Sequence, residues 1–474
     1  MKVSAVFGSG IASGKSYVVT RQRRLNCYYE NRDDSDKSKV AIYGTPGLKL
    51  LFSIGSAPAR GILGTSTVLY AVAASTFYQL NATGVVLYSA PITSLSGLVS
   101  LTQNPTQVML VDGVNGYLFV ANVLTPITAA GFPNGAKTVT CASGYFVVEK
   151  PGTQQFFVSN LFDGTTWSAL AFASASQYSD ILLAVDTLIG NLLLFSSTHL
   201  EFWQNVGSTP QPFQPILSAT TEWGIAAVFS RAHVDSSIIF LAQSPQGGTS
   251  VCQIKGYQVT PISTPDLEYI FSTFSTVSDA VGLAYRTDKH PFYQLTFPTA
   301  NRSFLYDCLT GIWNETQTGI TQGYAQRHIG NLSTLFGTSQ IISDYFNGNL
   351  YVSDSQTYTD NNQTIPRQIV TKHQLTDFNV FTIDEAYVDM ETGVGLVSGQ
   401  GSSPQVQLSV SKDNGRTFST PRMTSLGAYS QFQTRAIWRR WGSARVFVFK
   451  LDVTDPVKFA VTSVASSAIM RPQQ

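Results

Sequence analysis

Between about residues 60 and 355 the chain is a succession of short apolar runs broken by Gly, Asn, Asp and Pro turns, with almost no helical periodicity. Residues 108–111 lead through Asp112-Gly113-Val114-Asn115-Gly116 into 117–120. Residues 144–148 turn at Lys150-Pro151-Gly152 into 155–159. Residues 238–242 turn at Pro245-Gln246-Gly247-Gly248 into 250–254 and on to 256–259. Runs this short and this closely turned are strands of antiparallel meanders. Units of two to four strands recur about every 35–55 residues, the coarse signature of a β-propeller. The spacing suits about six to seven blades, and it also permits a pair of β-sandwiches. One short helix is expected near 263–274, where Pro265 and Asp266 can start it.

The character changes near Gln374, where turns lengthen and basic residues return. Segments 406–410, 435–439, 446–451 and 457–461 read as strands of a small sandwich. The expected fold is therefore all-β. Residues 1–50 form an arm and platform strands, 51–373 a propeller-like domain, and 374–474 a β-sandwich platform.

Charge is scarce and uneven. Charged residues make up 12% of the chain against 43% hydrophobic, and the formal net charge is +1. A surface so poor in charge suits a protein largely covered within an assembly. Ten of the 30 Lys and Arg lie in residues 1–60, including Arg21, Arg23 and Arg24, and only Lys137 and Lys150 lie between 61 and 230. Eight more fall between Lys412 and Lys450, including Arg435, Arg439, Arg440 and Arg445. These seven arginines are the candidate surface for subunit or partner contact. Residues 435–445 are expected to form a hairpin turning at Trp441-Gly442-Ser443-Ala444, with Phe447, Phe449 and Leu451 facing the core. Direct DNA reading is not expected, because no groove-entering element is visible.

Ser411-Lys412-Asp413-Asn414-Gly415-Arg416-Thr417-Phe418 fits the Asp-box hairpin pattern. Asp413 can bond turn amides, Gly415 supplies positive φ, and Phe418 packs beneath. The motif is structural and says little about glycan hydrolysis. A glycosidase needs two carboxylates facing one cleft, and nothing pairs Asp180, Asp186 or Glu201 in the sequence. The five histidines and four cysteines show no metal spacing, and no cofactor is expected. The stretch Gly8-Ser9-Gly10-Ile11-Ala12-Ser13-Gly14-Lys15-Ser16 imitates a phosphate-binding loop, but its glycine spacing is wrong and no helix start follows. No signal peptide or membrane-spanning segment is expected, since the longest apolar run, 181–195, is interrupted by Asp186 and Asn191.

Several segments, in order along the chain, carry a family resemblance. They are Leu25-Asn26-Cys27-Tyr28-Tyr29-Glu30 with Thr45-Pro46-Gly47-Leu48, then Ser196-Ser197-Thr198-His199-Leu200-Glu201-Phe202-Trp203. Gly224-Ile225-Ala226, Val259-Thr260-Pro261-Ile262-Ser263, DNGRTF at 413–418 and RAIWRRWGSAR at 435–445 follow. Together they resemble the packaged-DNA stabilisation proteins, or tail hubs (nozzles), of short-tailed phages. The resemblance implies a structural, non-enzymatic virion protein assembled in the bacterial host cytoplasm. It implies a ring, hexameric in the family, below the portal and head-tail adaptor. Such a ring extends the double-stranded DNA channel, retains the genome, and holds tailspikes or tail fibres and a needle or plug. A strongly basic channel wall would bind phosphates and hold DNA back, so the basic ends are expected to face protein. The contrasting possibility is a glycan-binding or glycosidase-like propeller.

Overall fold

The computed structural model describes residues 2–5, 10–11, 15–32, 40–321, 324–325, 327–375 and 379–470. Much of the loop-like stretch after Phe7, including Gly8, Ser9 and Gly14, lies outside the described residues. Among the described residues no helix is long and apolar enough to cross a membrane.

Seven antiparallel sheets follow one another along the chain, at 59–91, 100–126, 139–174, 182–215, 224–261, 281–316 and 330–354. Each meanders outward from an inner strand. The seventh takes its fourth strand, Gly47–Ser53, from the N-terminal region, antiparallel to Asn349–Asp354. Neighbouring sheets touch near their inner strands all the way round, and Gly330–Phe336 of the seventh meets Ala59–Gly64 of the first. The result is a closed seven-bladed propeller, with the sequence-distant strand locking the ring. Closure leaves only short outer edges open to pairing.

Both faces of each blade are covered by its neighbours, which explains why the middle strands are continuous apolar runs. Leu192 to Phe195 and Ile238 to Ala242 have no exposed surface. Phe195 of the fourth blade meets Phe240 of the fifth edge-on at 5.2 Å. The expected helix is present at Pro265–Ser272, capped by Thr264, whose side chain accepts from the Leu267 N–H. It packs Leu267, Ile270 and Phe271 between the fifth and sixth blades.

The remaining strands make two facing sheets. One runs Cys27–Asn31, Val40–Gly44, Ala460–Met470, Phe381–Met390, Ala436–Ala444, with Lys2–Ala5 paired to Ala460–Met470. The other runs Arg23–Leu25, Arg367–Val370, Val446–Val453, Gln405–Ser411, Arg422–Ser425. Trp438, Trp441, Phe447, Phe449 and Leu451 fill the space between them. N-terminal strands thus complete a sandwich made mainly by the C-terminal region.

Two expected boundaries move. Gly47–Ser53 straddles residue 50 and belongs to the seventh blade, and Arg367–Val370 lies in the sandwich, ahead of 374. Both segments are placed by partners hundreds of residues away, which local turn spacing does not reveal. The expected hairpin at 441–444 is also replaced. Ala436–Ala444 runs straight through those residues as an edge strand of one sheet, and Val446–Val453 belongs to the other. The chain changes sheets at Arg445.

Candidate functional site

The second sandwich sheet does not stop at Arg23–Leu25. Leu25 pairs in parallel with Glu315 on Ile312–Thr316, the outer strand of the sixth blade, while Arg23–Leu25 pairs antiparallel with Arg367–Val370. One hydrogen-bonded sheet therefore runs from propeller to sandwich through three residues. A polar ladder crosses it. Arg302 Nη2 donates to Glu315 Oε1 at 2.8 Å, and Arg23 donates to Glu315 Oε2 from Nε and Nη2 at 3.0 and 2.7 Å. Arg23 Nη1 donates to Gln368 Oε1 at 3.0 Å, and Gln368 Nε2 donates to Asp452 Oδ1 at 2.6 Å. Burial pushes the Glu315 carboxyl up, but Arg23 and then Arg302 outweigh it and hold it below the ordinary carboxylate range.

Asn26 fixes the turn beside this strand. Its amide donates to the carbonyls of Gln317 (2.9 Å) and Pro366 (2.7 Å). Its Oδ1 accepts from Thr316 Oγ1 (3.0 Å) and the Gln317 N–H (2.9 Å). Every polar site of a buried side chain is thus used, at a left-handed φ of 52° that Asn tolerates. Arg24 is only 2% exposed, and its Nη1 donates to Asn314 Oδ1 at 3.3 Å. Burial pushes its guanidinium down to about 10. Arg24 is therefore part of the interior and not of any contact surface; its polar head was expected outside because a charged residue in a short sequence window looks solvated. Arg23 is likewise engaged within the chain.

The C-terminal arginines have the opposite setting. Ala436–Ala444 is the last strand of its sheet. Between Ile383↔Gly442 and Glu385↔Arg439 it holds one residue more than its partner, a β-bulge with Arg440 at φ 63°. The extra residue turns Arg439 and Arg440 both outward and returns Trp441 to the core beside Trp438. Arg435, Arg439, Arg440 and Arg445 are all exposed. Arg439 Nε reaches Glu385 Oε2 at 3.0 Å. Among the described residues Arg435, Arg440 and Arg445 have no acidic partner. Arg422 completes the rim. Its guanidinium lies 4.4 Å over the Trp441 ring and donates to the Arg439 carbonyl at 2.6 Å.

The Asp-box hairpin joins Gln405–Ser411 to Arg422–Ser425. Asp413 accepts from the Thr417 N–H at 2.9 Å and from its hydroxyl at 2.6 Å, and Ser411 Oγ takes the Gly415 N–H at 2.8 Å. The Ser411 hydroxyl, which donates to Asp413 Oδ1 at 2.6 Å, and then Thr417 hold the Asp413 carboxyl down at about 2. Gly415, at φ +82°, is pressed against Arg21, whose stem would collide with any Cβ there. Phe418 lies half-buried beneath Lys450, 5.0 Å from its ammonium. Arg21 is thus a brace for this turn.

With this two-part geometry, residues 10–358 match the family model described as bacteriophage P22 Gp10, beta-propeller, and residues 366–467 match bacteriophage P22 Gp10, beta-sandwich. The chain belongs to the P22 Gp10 family. The tail hub protein gp10 of Salmonella phage P22 is 23% identical over 395 residues, spanning 76% of this chain and 77% of that protein. Solved structures that align include the WD40 domain of Neurospora crassa Pan2, with TM-score 0.41, 9% identity, 68% of this chain and 96% of that one. The N-terminal domain of Nup159 gives TM-score 0.40 at 8% identity, over 70% of this chain and 98% of its own.

The carboxylates weighed for hydrolysis are each occupied. Glu201 accepts from Trp203 Nε1 at 2.9 Å, Asp180 takes the Thr198 N–H and hydroxyl at 2.8 Å, and Asp186 pairs with Arg231 and His233. The four cysteines are free thiols, and burial pushes Cys27, Cys252 and Cys308 up to about 12. Sequence reasoning missed Glu315, Arg302, Arg367 and Arg422. A polar Asn314-Glu315-Thr316 run closing an apolar blade was the available signal for the first.

Proposed function

We propose that this protein is a structural tail hub of a short-tailed phage. Copies of the chain assemble into a ring, six by family resemblance, below the portal and the head-tail adaptor. The ring extends the DNA channel, retains the packaged genome, and anchors tailspikes or fibres and a needle or plug. It is a virion component assembled in the bacterial host cytoplasm, and its work is mechanical, with no catalytic step. The supporting observation is the paired family match, propeller then sandwich, over nearly the whole chain. The continuous sheet between the two parts suits this role, because a hub under genome pressure needs its parts held at a fixed angle. The arginines at 435, 440 and 445, without acidic partners among the described residues, then serve as contact points for a ring neighbour or the adaptor, where rim charges steer association.

Negative-stain imaging of the purified chain with and without its adaptor tests the reading. Rings that bind the adaptor are expected. A chain that stays monomeric and ignores the adaptor overturns it.

A further inference from the structure

Arg367 is unlike the other buried arginines of this chain. It is 1% exposed, and its Nε and Nη1 have no hydrogen-bond partner among the described residues, whereas Arg60 is satisfied by backbone carbonyls and the Ser94 hydroxyl. Among the described residues no carboxylate lies within ion-pair distance of it. Asp360 is the nearest in influence, but its own Oδ1 is also unpartnered, and Oδ2 is taken by the Thr318 hydroxyl at 2.7 Å. A buried cation without a counter-charge is costly, so a fold that keeps one is expected to bring an anion to it.

Arg367 also lines a cleft. The cleft has a volume of about 310 Å³ and lies between the sandwich strands bearing Tyr28 and Gly44, the sixth-blade turn at Asp288, and the segment with Tyr358 and Lys458. A single water occupies about 30 Å³, so the space is ligand-sized. Gly44 is required there. A Cβ at that position would fall 2.3 Å from Arg367 Nε. The absence of a side chain is what lets the guanidinium lie against this strand. Arg32 and Lys458 add two more cations to the lining, against the carboxylates of Glu30 and Asp288. Arg32 is paired with Glu30 at 3.4 Å, and Lys458 is tied to Glu391, outside the lining, at 3.0 Å through an exposed and therefore exchangeable pair.

We propose that this cleft is an oxyanion-binding site, with Arg367 as its buried anchor and Lys458 at its mouth. The ligand chemistry is a carboxylate or phosphate group, free in solution or borne on a partner's acidic side chain. Because the cleft touches the sixth-blade turn and both sandwich strands at once, an anion there clamps the sandwich onto the propeller. The inference stands apart from the tail-hub reading, since it concerns one chain and a small ion.

The test is calorimetric titration of the full chain with inorganic phosphate, and separately with succinate, at constant ionic strength set by chloride. One saturable site is expected. Affinity should fall at least fivefold in Lys458→Ala, which alters an exposed residue and keeps the fold, and binding should vanish in Arg367→Gln. Glu391→Gln, which frees Lys458, should tighten binding. Binding no better than chloride, or equal in wild type and Lys458→Ala, overturns the proposal. If a free ion binds, a synthetic acidic peptide competing with it assigns the group to a partner, and failure to compete assigns it to a free ion.

Discussion

Arg23 and Arg24 lie within the sheet that joins propeller to sandwich, engaged with Glu315, Gln368 and Asn314. Arg440 and Arg445 stand on the outer rim of the same sandwich, exposed and without acidic partners among the described residues. Both pairs come from basic clusters in a charge-poor chain. What separates them is the neighbour across the sheet. The N-terminal strand is sandwiched between two others and must satisfy every polar group internally, while the C-terminal strand ends its sheet and is bulged. Bulges and charge are how edge strands avoid unwanted pairing, so the rim is guarded against adding a strand.

This contrast can be broken most severely at Asn26. Asn26→Val strands several buried partners and places a β-branched residue at positive φ, so a loss of about 4 kcal/mol is expected. Chemical denaturation followed by tryptophan fluorescence measures it, and a loss under about 1 kcal/mol would mean that the joint is dispensable. Next comes Glu315→Gln, which leaves Arg23 and Arg302 facing a neutral amide. With those arginines 27% and 34% exposed, the expected cost is about 2 kcal/mol. Its pH signature is defined. The folded carboxyl sits below its unfolded value, so this stability is present above the unfolded pKa and lost as pH falls through the folded one.

Asp360, also near the joint, behaves oppositely. Burial pushes its carboxyl up to about 7, and the Thr318 bond offsets this only in part. Its contribution is complete below the unfolded value of 3.8 and is lost as pH rises through about 7. Wild type should therefore gain stability relative to Asp360→Asn as pH falls from 8 to 4, read as the difference in melting temperature. His328, 3.9 Å away and pushed down to about 4 by burial, moves the opposite way in both proteins. A flat difference would remove Asp360 as a titrating group. The smallest stability effect belongs to the rim. Arg435→Ala, Arg440→Ala and Arg445→Ala should each change stability by less than about 0.5 kcal/mol. The triple variant should nevertheless weaken adaptor or ring association about tenfold or more, with a reduced salt dependence of the on-rate. Unchanged association would remove the rim from the interface.

The legible parts of this molecule were those with local causes. Strand lengths, turn residues, the Pro265-Asp266 helix start and the Asp413 turn follow from propensities and hydrogen bonds within a few residues, and each is present. The core side of 447–451 was legible from alternation alone. The bulge at Arg440 was not, because an extra residue reverses the alternation without changing composition. Arg24 and Arg60 were unreadable as interior residues for a similar reason: a buried arginine is recognised only by the carbonyls and amides that surround it.

By itself the sequence determined an all-β chain of meandering units followed by a basic sandwich, and its ordered motifs carried the family. Tertiary structure alone decided the blade number, the seventh-blade closure by Gly47–Ser53, and the fusion of propeller and sandwich through Arg23–Leu25. Each of those depends on pairing between residues about 300 positions apart. Backbone hydrogen bonds carry no sequence label, so the partner of a strand is fixed only when the whole ring and both sheets close.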